Sequence, residues 1–199
     1  MVVAYHVIFT AYGFWLPNDP RGSWSDFVAA WDLVLAAGKA TKTDDRHSVA
    51  HTPHDRNKRL AAKNALKYPP VQFTGQQALA IAHGFIQAVC EAEYVIYACS
   101  ILPRHLHLVV ARETGRDVEK IVGHLKAKAS SRLRVEGVHP FAEYATENGA
   151  VPTVWAQGCW KVFLNTPEDV ARAVRYVEEN AEKEGKPMQR WSFVRPFGQ

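Results

Sequence analysis

Residues 3–11, VAYHVIFTA, are dense in Val, Ile, Phe and Tyr and predict a first strand. The stretch that follows, GFWLPNDPRGSW at 13–24, holds two prolines, two glycines and two tryptophans, which predicts a structured loop. A short helix is expected over 26–37. From 41 to 58 the chain turns polar, and Pro53 argues that His47, His51 and His54 lie on a solvated loop and not on one helical metal-binding face. Patterning sharpens further on. Thr74 followed by Gln77 has the form of a capping box, and QALAIAHGFIQAVCEAE behind it predicts a helix to about Glu93. EYVIYACSILP and RHLHLVVARE then predict two successive strands turning around Leu102–Arg104.

A second helix is expected over about 116–136, capped from Thr114 or Asp117. Val118, Ile121, Val122, Leu125, Ala129 and Leu133 form its apolar stripe. The last helix, 167–184, has Thr166 as N-cap, Pro167 at its first position, Asp169 three after the cap and an end near Gly185. Strand, long insertion, helix, strand, strand, helix and a terminal helix is the order of an α+β, ferredoxin-like split βαβ antiparallel sheet with helices on one face. One domain over 1–199 is expected, with a loop-rich insertion at about 13–70.

Composition narrows the functional classes. At 199 residues, 47% hydrophobic and 22% charged, the chain has the make-up of a globular domain. No apolar run reaches the roughly 18 residues of a membrane span, and the apolar N-terminus lacks a basic n-region, so a cytoplasmic protein with no membrane partner is expected. Cys90, Cys99 and Cys159 are scattered without a C-x-x-C pairing, which predicts small buried residues and no disulfide framework. Lys and Arg number 24 against 20 Asp and Glu, a net charge of +4 that tilts the chain toward polyanions.

His105 and His107 in RHLHLVV carry the first chemical signal. Alternation on a strand puts both imidazoles on one face and Leu106, Leu108 and Val110 on the other. With helices covering the apolar face, the histidines fall on the open side, where two neutral imidazoles suit a divalent metal needing one further ligand. A chance surface pair is the bland alternative. A cupin, with Glu113 as its downstream glutamate, conflicts with the flanking helices. A two-histidine phosphoesterase would need paired H-x-[ST] motifs, and the chain has none.

The terminal helix carries the second signal. Val170, Val174, Val177 and Ala181 define its core stripe, and Tyr176 lies about 130° from that stripe's centre. A half-buried or interface aromatic would explain Tyr176 alone. Asn180, four residues on, shares its side of the helix. A phenol is a poor nucleophile until its target is polarised. A metal on His105 and His107 would polarise a phosphodiester as a Lewis acid, and a phosphotyrosine would conserve the bond for strand transfer without ATP.

With these pieces in view, the chain resembles the HUH single-strand DNA nucleases, specifically the single-tyrosine transposases of short insertion sequences and their REP-associated relatives. The resemblance rests on LPRHLHLVV at 102–110, on WAQGCWKVFLNTPEDVARAVRYVEENAEKEG at 155–185 and on HVIFTAYGFWLPNDPRG at 6–22. It implies His105 and His107 as metal ligands, Tyr176 as nucleophile and Asn180 in the place of a third, polar ligand. It further implies Mg²⁺ or Mn²⁺, single-stranded or hairpin DNA as partner, a 5′-phosphotyrosine intermediate with a free 3′-hydroxyl, and a ferredoxin-like, often dimeric, protein. Many relatives have Asn-Pro at the end of the tyrosine helix. This chain has Asn180-Ala181, which leaves the helix free to continue.

Nucleic-acid contacts are expected from Lys120, Lys126, Lys128, Arg132 and Arg134 on the 116–136 helix and from Arg104 beside His105. An ordinary solvated helix surface is the competing explanation. Trp15, Trp24, Trp155 and Trp160 are candidates for stacking on unpaired bases. Two other functional classes remain open: a domesticated, non-cutting hairpin-binding protein on the same scaffold, and an RNA-binding ferredoxin-like module, although RHLHLVV lacks the usual aromatic-glycine RNA-binding pattern.

Overall fold

The computed structural model describes residues 1–14, 16, 31–38 and 55–198. Four strands form one antiparallel sheet: β1 (Ala4–Thr10), β2 (Ile96–Ile101), β3 (His105–Ala111) and β4 (Trp160–Leu164), in the order β2-β3-β1-β4. Counted with the helices α3 (Gly75–Ala92) between β1 and β2 and α4 (Val118–Val135) between β3 and β4, this is the expected split βαβ topology.

The sheet is sided by alternation. Val7, Phe9, Leu106, Leu108 and Val110 face α3 and α4 and build the main core with Ile81, Phe85, Ile121, Leu125 and Leu133. α3 begins with the Thr74–Gln77 capping box, and α4 starts after Asp117, whose side chain makes no capping bond. The two helices cross at Gly84. A Cβ there would lie 2.6 Å from the backbone of Ala129, so only glycine permits this approach.

The opposite face carries α5 (Pro167–Lys183), closed at its start by the Thr166–Asp169 capping box. Val170 and Val177 of α5 are buried with Ala4, Ala98, Val109 and Leu164. The side expected to be open is therefore partly roofed by the tyrosine helix itself. A bulge between Ile96 and Ala98 lets Ile96 join the main core while Ala98 and Ser100 face α5. The outer edge of β2 is covered by the C-terminal segment. There Gln189 imitates a strand: its Nε2 donates to the Ile101 carbonyl at 2.8 Å and its Oε1 accepts from the Ile101 N–H at 2.7 Å.

Two elements differ from the sequence expectation. β4, WKVFL, is a short edge strand with Val162 and Phe163 exposed, so no in-and-out pattern announces it. In the insertion, α1 (Trp31–Ala37) corresponds to the expected short helix, but α2 (Arg56–Asn64) stands where a polar loop was expected. Asp55 caps α2 by accepting from the N–H groups of Asn57 and Lys58, and only Ala62 of the helix is buried, which hides its amphipathic pattern. Leu16, Ala37 and Ala62 form a small satellite cluster. His47, His51, His54, Trp15 and Trp24 lie outside the described residues. Among the described residues no helix is long and apolar enough to cross a membrane. Cys99 is buried as expected, Cys159 is half-buried, and Cys90 is exposed on α3, contrary to expectation, because its position falls on the helix's solvent side.

Candidate active site on the histidine face

β3 delivers His105 and His107 to the α5 side of the sheet, with ring centroids 4.9 Å apart. His107 is buried and His105 half-buried. Ser100, also buried, faces His107 across the β2–β3 pair, and Thr10 faces His105 across β1–β3. A third histidine joins them. His6 of β1 is diagonal to His107, and its Nε2 lies 3.0 Å from His107 Nδ1, with the two rings edge to edge and their planes 27° apart.

α5 sets its tyrosine over this cluster. Tyr176 is half-exposed, and its ring centroid lies 5.7 Å from both His6 and His107, edge-on to each. One turn later, Asn180 is buried, and its Nδ2 has no hydrogen-bond partner. One turn further, Glu184 at the helix end brings Oε1 to 3.7 Å from His105 Nε2. The helix continues through Asn180-Ala181 to Lys183, with Ala181 in the core. Because Tyr176 meets His107 and Glu184 meets His105, the amide of Asn180 belongs to the turn of α5 between them. On the outer side Lys183 Nζ sits 5.0 Å above the Tyr176 ring, and Phe14 stacks on His105 at 5.3 Å and 7°.

Burial controls the protonation of this face. Loss of hydration pushes the His6 pKa down to about 4. His107 is held well below the ordinary histidine value, first by burial and then by the neighbouring rings of His105 and His6. Both rings are neutral at neutral pH, the state in which imidazole donates a lone pair. Among the described residues no three His, Cys, Asp or Glu side chains close into a metal cage. The donors that the structure brings together are two imidazoles, the buried amide of Asn180 and the nearby Glu184 carboxylate. The unpartnered polar atom on Asn180 is its Nδ2 donor, which fits a hydrogen-bond acceptor at that position, while the lone pairs of the two imidazoles and of the Asn180 amide oxygen are the donor types that suit a divalent cation.

The structure thus unites Tyr176, Asn180, His105 and His107, and adds His6, Glu184 and Phe14, which the sequence reading did not single out. His6 had a local signal. In AYHVIFT it is a polar residue breaking an apolar strand, but nothing local says which strand it faces.

The expected basic face fares differently. α4 packs on the other side of the sheet from Tyr176, so its cations do not border the histidine cluster. Lys126 Nζ donates to the carbonyls of Ala156 at 2.9 Å and Gly158 at 2.6 Å, and burial lowers its pKa to about 8. Lys128 pairs with Glu91 at 2.7 Å, and Lys120 lies 3.7 Å from Asp117. Arg132 is half-buried, with Nε lacking a partner, whereas Arg134 is exposed. Of the six cations only Arg104, exposed in the β2–β3 turn, neighbours a residue of the site in the chain, His105. Trp155 is a core residue: its Nε1 donates to the Lys126 carbonyl and to Ser130 Oγ, which removes it from base stacking.

No family model and no curated protein matches the chain by sequence. Two solved structures are similar to it in the course of the chain. A REP-associated tyrosine transposase bound to a REP hairpin is 12% identical with a TM-score of 0.47, the match covering 92% of this chain and 68% of that one. A protein named as a candidate transposase, from Deinococcus radiodurans R1, is 10% identical with a TM-score of 0.40, the match covering 90% of this chain and 91% of that one.

Proposed function

We propose that the chain is a metal-dependent single-stranded DNA endonuclease and strand transferase with Tyr176 as its nucleophile. One observation carries the reading: a half-exposed tyrosine held edge-on against two buried, neutral histidines, His6 and His107, on the sheet face that also carries His105. His105 and His107, with the amide oxygen of Asn180, would hold Mn²⁺ or Mg²⁺. The nitrogen donors favour Mn²⁺ of the two, since Mg²⁺ prefers oxygen. When bound, the ion supplies Lewis-acid polarisation of a phosphodiester oxygen.

Tyr176 Oη attacks phosphorus, the phenolic proton passes to solvent, and the bond from phosphorus to the 3′-oxygen breaks. That oxygen takes up a proton, leaving a 3′-hydroxyl on one strand and a 5′-phosphotyrosine on the protein. Attack by another 3′-hydroxyl reverses these changes and joins strands without ATP. The backbone β1–β3 pairing and the apolar contacts of Val170 and Val177 hold nucleophile and histidines in register. Arg104, exposed and next to His105 in the chain, would contact a phosphate near the site. Contacts by Lys120, Lys126, Lys128, Arg132 and Arg134 would require DNA that passes around to the α4 side. A homodimer is compatible with this reading.

Labelled hairpin-bearing oligonucleotides incubated with the protein and Mn²⁺ or Mg²⁺, then run on a denaturing gel, test the proposal. A shifted, protease-sensitive band that requires metal is expected. Oligonucleotides that bind without forming that band would overturn the nuclease and leave a non-cutting hairpin-binding protein.

A further inference from the structure

A neutral imidazole carries one N–H and one lone pair, so the 3.0 Å contact between His6 Nε2 and His107 Nδ1 has two proton arrangements. If His6 donates, His107 bears its own proton on Nε2 and cannot give that nitrogen to a cation. If His107 donates from Nδ1, its Nε2 carries the lone pair. The choice matters because Nδ1 is already engaged, leaving Nε2 as the one ring nitrogen of His107 free for a ligand.

We propose that His6 is a positioning residue for His107: its Nε2 accepts the Nδ1 proton, and this fixes His107 in the tautomer whose Nε2 donates to a divalent cation. The inference rests on the metal-dependent reading above and deepens it. The geometry suits the task. His6 is buried on the central strand, where water does not compete for the bond. Its ring is confined between His107, edge to edge with centroids 5.3 Å apart, and Tyr176, edge-on at 5.7 Å. The same ring therefore sets both the tautomer of one ligand and the lateral position of the nucleophile. A ligating histidine whose second nitrogen donates to an acceptor has a defined orientation and raised basicity.

The test uses the full chain with ¹⁵N-labelled histidine, as wild type, His6→Phe and His6→Gln. Long-range proton–nitrogen correlation of the metal-free protein reads the His107 tautomer, and calorimetric titration with Mn²⁺ reads affinity. The expected results are an Nδ1–H tautomer in the wild type and, in His6→Phe, loss of that preference with about a 10–100-fold weaker affinity at an unchanged thermal midpoint. His6→Gln, whose amide oxygen can accept the same proton, is expected to restore most of the affinity. An Nε2–H tautomer in a wild type that binds Mn²⁺ overturns the role of His6 alone. Absence of Mn²⁺ binding to a wild type with the Nδ1–H tautomer overturns the metal reading on which the inference rests. Should His6→Phe fail to fold, the wild-type tautomer and the His6→Gln affinity still decide.

Discussion

The two faces of the sheet are made by the same strands and do opposite things. Toward α3 and α4, β1 and β3 present Val7, Phe9, Leu106, Leu108 and Val110, all buried among aliphatic and aromatic neighbours. Toward α5 the same strands present His6, Thr10, His105 and His107. The first face supplies the hydrophobic burial that holds the fold together. The second forgoes part of that burial, since neutral histidines in a dry setting contribute less than leucines would, and gains a rigid donor array. α5 repeats the division along its own length: Val170 near its start anchors it in an apolar cluster, whereas Tyr176, Asn180 and Glu184 toward its end form the candidate site.

The largest expected effect that tests this comparison is on chemistry. Tyr176→Phe should reduce the covalent DNA adduct to background with binding of the same oligonucleotide retained, because only the nucleophilic oxygen is lost. An undiminished adduct would move the nucleophile elsewhere. Replacing His105 and His107 together by Ala should abolish both Mn²⁺ binding by calorimetry and any metal response of cleavage, while the circular dichroism spectrum stays native. On the opposite face, Leu125→Ala should cost about 2–5 kcal/mol in urea unfolding, the range for a large-to-small change in a packed core. If it cost no more than the histidine replacements, the proposed division of labour between the faces would be wrong.

Acid should separate the faces by charge. His6 and His107 have lowered pKa values in the folded chain, and the unfolded chain takes up protons at ordinary histidine values near 6.5. Between about 6.5 and about 4 the unfolded state therefore binds more protons. The stability associated with the neutral rings is full above that window and lost as the pH falls through it. The urea midpoint should drop between pH 7 and pH 4.5, and His6→Phe should make that drop shallower. The smallest effect concerns α4. If DNA reaches around the sheet, Lys120→Ala and Arg134→Ala should each lower the slope of log affinity against log salt by about 1. Unchanged slopes would confine the DNA to the α5 side.

Much of the site was legible because its signals are local. The two-residue repeat of a strand puts His105 beside His107, and the 3.6-residue repeat of a helix puts Asn180 one turn from Tyr176, away from the Val170–Val177 stripe. The capping boxes at Thr74 and Thr166 set where their helices begin, again through neighbours three residues apart. Those features follow from covalent geometry and short-range hydrogen bonding, so one sequence determines them. His6 is different. It lies 101 residues from His107, and only the register of β1 against β3 brings the rings together. Glu184 meets His105 because α5 docks at one particular angle, and β4 exists because β1 offers it an edge. The basic residues of α4 were correctly placed on a helix, but the sheet lies between that helix and Tyr176. Which side of a sheet a helix covers, and which strands become neighbours, is decided by burying the whole chain at once, and that choice belongs to the tertiary structure alone.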